Sequence, residues 1–525
     1  MNDLACLDDH GLKQPRDSVA CAVREGLLCF AAFFIIFTLT HSGYDDSEAP
    51  YQYMVARQIL IAHALGFSEP QPGIFKVAPN GRTYASHEIG NSLFMLPYAW
   101  LNVQLERQLT PRIGEPKVRL LTRFLTSSLS SVYAAAGLTF IFVLLRFFFA
   151  QTLRAALINV LILGFCSFYW TYSRSLFDGL LCATLLCAAT LLLFFYGRRG
   201  DGRLLVLAFC FFGLGFISRV TMVIPIAAGF LFLGLILHSN QKRCARAMVI
   251  AAFVLLPFFV WQAYYNHLRT GNALVNAVQT YENNSLTGNL RTHVAGLLIS
   301  PGKGVLVYAP PVLLALFCFP AFFRRYRAEA LYISVIGLAW LLVHAKLVGN
   351  WHGTFAWGPR HFLTIAPVVA IPFLVSGRKV FRSVARMAFA GVSLCFGFVL
   401  AVASIIGNPH YRLEFSANVQ GIDEHQMIWS LTENQAVDML RSSSHNVARL
   451  FVNVPWNVVP AASTMDQHAS NTLNVWLVTA YHEGVPVIVV ALAAVLLLSL
   501  LIGCFWLLLR SPPANSVEHL TPAAP

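Results

Sequence analysis

Long apolar runs separated by short polar connections dominate the hydrophobic pattern of this chain. A helix that spans a membrane needs about 20 mostly apolar residues, so each such run predicts a membrane-crossing helix. The pattern therefore predicts an all-α polytopic membrane protein with about 12 transmembrane helices. The runs are residues 25–41, 119–146, 152–171, 176–196, 203–217, 220–237, 247–265, 304–323, 329–347, 361–376, 383–406 and 485–509.

One further run, residues 90–106, is short and contains Pro97, and the charge pattern decides its interpretation. The positive-inside rule places short connections rich in Lys and Arg in the cytoplasm. With residues 1–24 also cytoplasmic, the topology is consistent only if 90–106 does not cross and instead lies along the outer interface. The basic connections that require this are residues 197–203, 239–246, 324–328 and 377–386.

This topology predicts three large extracytoplasmic segments, residues 42–118, 267–303 and 407–484. The transmembrane module covers residues 25–406, with juxtamembrane helices in its first outer loop. A small outer loop region and the last helix follow, and the tail 510–525 returns to the cytoplasm. Thirteen of the 16 His residues fall on the outer side or at its edge. We therefore expect a multi-pass membrane protein with both termini cytoplasmic and its polar chemistry outside.

Composition excludes other classes of protein. The chain of 525 residues is 57% hydrophobic and 12% charged, with a mean hydropathy of +0.62, which rules out a soluble enzyme and a disordered chain. The net charge of +13 does not indicate nucleic acid, because basic residues punctuate apolar runs instead of forming one patch. The eleven Cys show no spacing typical of a zinc site or a disulfide framework.

Three carboxylates, Asp45, Asp46 and Glu48, follow the first apolar run directly, and residues 51–65 then read as an amphipathic helix. One interpretation is a capped helix whose acidic start complements the helix dipole. The other is a general base or a metal ligand, since a helix N-terminus keeps a carboxylate ionised at neutral pH. The two interpretations are compatible.

Four further outer motifs carry cations and aromatic rings: residues 81–90, 172–178, 300–304 and 351–361. One structural interpretation is that these residues anchor the chain at the membrane interface. For Arg174 and Asp178, another is a local ion pair between positions i and i+4 of one helix. The functional interpretation is that the cations bind phosphate while aromatic rings stack on sugars. The candidate residues are Arg82, His87, Arg174, Lys303, His352, Trp357 and Arg360.

Together these motifs resemble the GT-C superfamily of membrane glycosyltransferases, which use polyprenyl-phosphate sugars. The superfamily includes protein mannosyltransferases, aminoarabinose transferases and arabinosyltransferases. The resemblance rests on the acidic motif after the first span, the turn from Tyr84 to Gly90, and the edge from Tyr172 to Asp178. The motifs SPGKG and WHGTFAWGPRH extend it, so that it covers roughly residues 25–376.

The resemblance implies inverting sugar transfer at the extracytoplasmic face of a bacterial inner (cell) membrane, with a polyprenyl-phosphate-linked sugar as donor. Asp46 is then the first candidate for the base, with Asp45 and Glu48 as rivals. The sequence reads DDSE where one Asp followed by Glu is usual, so the identity of the base is open. Some members use a divalent metal (Mg, Mn or Ca) and others do not; Asp46 and Asp178 are the residues that would hold one.

The predicted function is thus hexosyl or pentosyl transfer from a lipid-phosphate donor to an envelope glycan, lipid or protein. Two alternatives remain. An envelope-lipid transporter or flippase would share the many spans, but it should show repeat symmetry and charges near the midplane of the bilayer. A non-catalytic membrane assembly factor would share the aromatic outer loops.

Overall fold

The computed structural model describes residues 16–42, 49–71, 73–276, 285–348, 351–354, 356–407, 409, 421–441, 443, 475–482 and 484–510. Asp45, Asp46 and Glu48 lie outside these residues, as does most of the segment 407–484. The description below concerns the described residues alone.

The described part of the chain is a helical bundle, which confirms the predicted fold class. Residues 144–148 form a π-helical turn, while 220–222 and 360–364 form 3₁₀ turns. The α-helices are Arg16–Leu39, Ala49–Ala62, Gly90–Ile113, Glu115–Val143, Leu153–Phe165, Tyr169–Tyr172, Asp178–Arg199, Gly202–Ser218, Val223–Leu237, Gln241–Thr270, Leu290–Ile299, Val305–Tyr308, Pro310–Arg325, Arg327–Lys346, Ala366–Val369, Ile371–Val380, Val384–Ile406, Glu424–Trp429, Trp476–His482 and Val487–Leu509.

Each of the twelve predicted runs coincides with a helix or a series of short helices. Among the described residues, eight helices are long and apolar enough to cross a membrane. The remaining runs are shorter or interrupted: residues 361–376 are divided into a 3₁₀ turn and two short helices, because Pro367 and Pro372 each begin a new helix. The eight are Ala20–Leu39, Glu115–Phe148, Asp178–Arg199, Val220–Leu237, Gln241–Thr270, Arg327–Lys346, Val384–Ile406 and Val487–Leu509.

The ambiguous run forms the helix Gly90–Ile113, which has 24 residues but is not among the helices apolar enough to span. Its polar side chains bind neighbouring elements. The Asn102 amide donates to the hydroxyl of Tyr53 (2.9 Å), and Glu106 pairs with Arg57 at 2.7 Å. The helix thus packs beside Ala49–Ala62, in agreement with a segment that does not cross.

A small antiparallel hairpin, which the sequence pattern did not predict, joins these two helices. Strands Phe75–Val77 and Thr83–Ala85 pair with Lys76 opposite Tyr84. Tyr84 is buried against Tyr265, so the hairpin holds the connection between Ala49–Ala62 and Gly90–Ile113 against the end of Gln241–Thr270.

The first helix and Glu115–Val143 run antiparallel, which defines two ends of the bundle. At one end Glu25 pairs with Arg146 at 3.0 Å, and at the other Nε2 of His41 lies 3.2 Å from Oγ of Ser130. The basic connections gather at the first of these, the basic end. Arg198 lies over the ring of Phe148 at 3.7 Å, and the side chain of Arg243 covers Gly200.

Candidate functional site

The residues on both sides of the acidic segment, 43–48, are buried at the end opposite the basic end. His41 and Ser42 precede the segment with 0% and 5% exposure, and Ala49 follows it with 3%. The predicted N-cap and the three candidate carboxylates lie within the segment and therefore outside the described residues.

His41 connects the chain before the acidic segment to the turn at 172–178, which we call the edge loop. Its ring lies 3.2 Å from the hydroxyl of Ser130, which donates to the carbonyl of Ser173 at 2.8 Å. Burial, followed by the nearby Arg174 guanidinium, lowers the pKa of His41 to about 3. The imidazole is therefore neutral at physiological pH and serves as a hydrogen-bonding group.

Gln52 connects the chain after the acidic segment to the same loop. Its side-chain oxygen accepts a hydrogen bond from the amide of Asn91, and this amide also donates to the carbonyl of Leu176 at 3.0 Å. All three groups are buried, so the hydrogen bonds hold the start of Ala49–Ala62 beside the edge loop. Both flanks of the acidic segment are thus attached to residues 173–176.

Arg174 of the edge loop is 5% exposed. Its guanidinium donates to the carbonyls of Ile405 (2.7 Å) and Ser404 (3.3 Å), which end the helix Val384–Ile406. A cation at a helix C-terminus is favoured by the helix dipole. The structure therefore places the charge of Arg174 at this end of the bundle and anchors it to the carbonyl groups of a second spanning helix.

Lys303, from the SPGKG motif, is brought to residues 351–361, which we call the aromatic loop. Its ammonium donates to the carbonyls of Thr354, at 2.8 Å, and Ala356. The side chain is 3% exposed, so a buried positive charge supports the backbone of this loop. Gly302 beside it packs against the carbonyl of Met427, where a Cβ would collide.

Trp357 lies at the centre of the aromatic loop. Its indole is 3% exposed and meets the ring of Tyr308 edge-on at 5.1 Å. Its carbonyl accepts a hydrogen bond from the hydroxyl of Tyr172 at 2.7 Å. Burial raises the pKa of Tyr172, so its phenol stays protonated and remains a donor. The aromatic loop and the edge loop are therefore joined directly.

Arg360 and His352 complete the aromatic loop. The Arg360 guanidinium lies over the ring of Phe177 at 5.4 Å and is partly exposed. Gly353 takes a φ of +85° and lies against the stem of Arg360, so a larger residue there would be strained and crowded. His352 is buried, and its Nδ1 accepts a hydrogen bond from the amide of Thr354 at 3.1 Å.

Asp178 begins the most enclosed spanning helix, in which 83% of the apolar window is buried. Its carboxylate lies 3.7 Å from Arg219 Nη1, and Nη2 of the same guanidinium lies 2.8 Å from Nδ1 of His361. Arg219 thereby connects the edge loop to the aromatic loop. In the sequence, Arg219 is a lone charge between two apolar runs, and this pattern is the signal that could have identified it.

The turn that holds His87 belongs to the same end but depends on a residue that sequence reasoning missed. Arg269 is fully buried and donates to the carbonyls of Ser86 (2.7 Å) and His87 (2.9 Å). It also lies 3.9 Å from Glu88. Arg82, by contrast, is exposed at the tip of the hairpin, where its amide donates to Asn80 Oδ1 at 3.0 Å.

This turn adjoins Arg219 as well. Gly90 packs so closely on Ser218 that a Cβ would overlap its backbone. The described residues therefore bring together four of the motifs that the sequence singled out. The arrangement offers several cations, aromatic surfaces and an adjoining acidic segment, which suits a ligand that carries both a phosphate and a sugar.

The described residues contain no group of three His, Cys, Asp or Glu side chains that could hold a metal ion. Asp178 is paired with Arg219, so a metal ion there would have to displace or share this partner. Asp46, the other residue considered for a metal, lies outside the described residues.

Comparison with known proteins gives one match to a family. Residues 124–261 match the family model described as dolichyl-phosphate-mannose-protein mannosyltransferase, which confirms the predicted resemblance for this segment. No curated protein sequence matches the chain.

Two solved structures of ArnT from Cupriavidus metallidurans are similar to this chain. The apo state has 12% identity and a TM-score of 0.46, covering 94% of this chain and 76% of that chain. The structure bound to undecaprenyl phosphate has 12% identity and a TM-score of 0.45, covering 86% of this chain and 84% of that chain.

Proposed function

We propose that this protein is an integral membrane glycosyltransferase that moves a sugar, with inversion, from a polyprenyl-phosphate donor to an envelope acceptor. The acceptor is a glycan, a lipid or a protein, and transfer takes place at the extracytoplasmic face. The match to a mannosyltransferase family model over residues 124–261 supports the reaction class. The observation that carries the proposal is the attachment of both flanks of the acidic segment to the edge loop, through His41 and Gln52.

In the proposed reaction, an oxygen of the acceptor hydroxyl attacks C1 of the donor sugar while a carboxylate of the acidic segment takes the hydroxyl proton. The bond between C1 and the phosphate oxygen breaks, and the polyprenyl phosphate leaves with the bonding electrons. General-base catalysis of this kind contributes about 10²–10⁴-fold. Asp46 is the first candidate for the base, and Asp45 and Glu48 are its rivals.

Cations must stabilise the negative charge that develops on the departing phosphate. Arg360 is the best placed of the candidates, because its guanidinium is partly exposed and lies over Phe177 beside the edge loop. Lys303 and Arg174 would add positive charge without direct contact to the phosphate, because their charged groups bind backbone carbonyls. His87 lies in the adjoining turn, and Trp357 and His352 shape the aromatic loop that faces the sugar.

The distribution of charge supports the proposed extracytoplasmic location. Arg198, Arg243 and Arg325 lie at the basic end, which the positive-inside rule assigns to the cytoplasm. The candidate site lies at the opposite end. No nucleotide is supplied there, so a lipid-linked donor is the reasonable source of an activated sugar.

The proposal is tested with Asp46→Asn and, as a matched control, Glu69→Gln, which changes an exposed acid in the same outer loop. We expect Asp46→Asn to lower sugar transfer by about 10²–10⁴-fold with normal expression. A deletion strain should lose an envelope sugar, and Asp46→Asn should reproduce that loss. Glu69→Gln should leave transfer unchanged. If mass analysis of envelope glycans, lipids and glycoproteins in the deletion strain finds no sugar missing, the transferase proposal is wrong.

The same experiment distinguishes the alternatives. A transporter or flippase would accumulate its lipid on one leaflet in the deletion strain, and Asp46→Asn would leave the sugar chemistry intact. A non-catalytic assembly factor would lose its partner complex, whatever the protonation state of residue 46.

A further inference from the structure

A groove at the basic end lies between the first helix and the last helix, far from the site proposed for sugar transfer. It is shallow and open to its surroundings, with a volume of about 530 Å³. The lining surface is almost entirely apolar, and one of the residues that form it, Arg24, is charged. The lining residues are Ala20, Val23, Arg24, Leu27, Leu28 and Leu507.

The charge of Arg24 is directed away from the bundle. The neighbouring Glu25 is fully buried and is committed to Arg146 at 3.0 Å, so it does not neutralise Arg24. Arg24 itself is exposed on the groove side of the first helix. The groove therefore combines an apolar floor with a cation that faces outward.

The last helix marks the depth of this cation in the membrane. Arg510 lies one turn after Leu507, and its guanidinium stacks over the ring of Trp506 at 3.9 Å. Trp and Arg at the end of a spanning helix are typical of the headgroup level. Since Leu507 and Arg24 line the same groove, Arg24 lies close to the headgroup level of the leaflet at the basic end.

We propose that this groove binds an anionic phospholipid of that leaflet, with the headgroup phosphate on Arg24 and an acyl chain along Val23, Leu27, Leu28 and Leu507. Charge complementarity favours this occupant. The net negative charge of an anionic headgroup is attracted to the guanidinium, whereas a zwitterionic headgroup has no net charge and is attracted only weakly. The last helix, whose apolar window is 0% buried, contacts the bundle mainly through the first helix. A lipid in the groove would therefore join the two.

The test uses the full-length protein in detergent, titrated with phosphatidylglycerol or with phosphatidylethanolamine of identical acyl chains and followed by native mass spectrometry. We expect the wild type to bind phosphatidylglycerol about fivefold to tenfold more tightly. Arg24→Gln should abolish this preference. Arg203→Gln, which removes an exposed charge at the same end but outside the groove, should retain it.

A second variant tests the acyl-chain floor. Val23→Trp fills the groove, so it should weaken binding of both lipids about tenfold while leaving the secondary structure unchanged by circular dichroism. Equal affinity of the wild type for the two lipids, or an unchanged preference in Arg24→Gln, would overturn the proposal. Sugar transfer plays no part in these measurements, so their outcome is independent of the proposed function.

Discussion

At the basic end of the bundle, basic side chains near the ends of helices pack over rings or glycines, as Arg198 does over Phe148 and Arg243 does over Gly200. At the other end they are buried and bind across the bundle: Arg174, Lys303 and Arg269 are 5%, 3% and 0% exposed. Desolvation of a charge is expensive unless the group is well hydrogen-bonded. The comparison indicates that the positions of the charges at the basic end reflect the membrane topology. The charges at the other end instead hold the backbone of the candidate site in place.

The pair between Glu25 and Arg146 is an exception at the basic end, and it offers the sharpest test of the comparison. Its side chains are 0% and 9% exposed. Glu25→Gln leaves a buried guanidinium uncompensated, so we expect a loss of about 3–5 kcal/mol in the free energy of unfolding. The measurement is denaturation in detergent, combined with sugar transfer per folded molecule, which should not change.

The double variant Glu25→Gln/Arg146→Met is the control for this prediction. Because it removes both charges, it should recover most of the lost stability. A fall in transfer per folded molecule that the double variant did not reverse would show that the basic end takes part in the chemistry.

The next largest effect is expected for Arg360, at the other end. Arg360→Gln should lower the rate of sugar transfer by about 10²-fold, because it removes a donor from the charge that develops on the phosphate. Arg82→Gln is the matched control, since Arg82 is exposed at the tip of the hairpin, and it should cost less than about threefold. Equal effects of the two substitutions would contradict the assignment of the site to the aromatic loop.

A smaller effect concerns pH. The pKa of His41 is about 3 in the folded protein and about 6.5 when the group is unperturbed, so the unfolded chain binds more protons between these values. Stability from His41 is therefore present above pH 6.5 and is lost as the pH falls towards 3. Between pH 7 and 5.5 we expect a loss of about 1 kcal/mol.

Thermal unfolding of the wild type and of His41→Gln at the two pH values measures this contribution. The variant should show a pH dependence that is smaller by the same amount. If the wild type and the variant respond identically, His41 is not buried as a neutral group.

The smallest expected effect is that of metal removal. Asp178 is already paired with Arg219, so we expect chelation by EDTA to lower transfer by less than about twofold. The measurement is transfer with and without added Mg, Mn or Ca after chelation. A complete loss that one of these ions restored would assign a metal to Asp46 and Asp178 instead.

The hydrophobic pattern predicted the helices well, since each of the twelve apolar runs is helical. It also predicts that the run 90–106 does not cross, and the helix Gly90–Ile113 that contains this run is not among the candidate spans of the described residues. It did not predict the hairpin 75–85, because strands of three residues leave almost no periodicity. The sequence marked the motifs of the site, but it gave Arg269 no role and Arg219 only the role of a lone charge.

The sequence by itself determined the membrane class, the helices and the clustering of basic residues in short connections. Local physics suffices for these features, because about 20 apolar residues without charge are stable as a helix in lipid wherever the rest of the chain lies. Only the tertiary structure decided which motifs meet. Arg219 and His361 are 142 positions apart, and Arg269 and Ser86 are 183 apart. Such contacts depend on how the helices are ordered around the bundle, and no local pattern encodes that order.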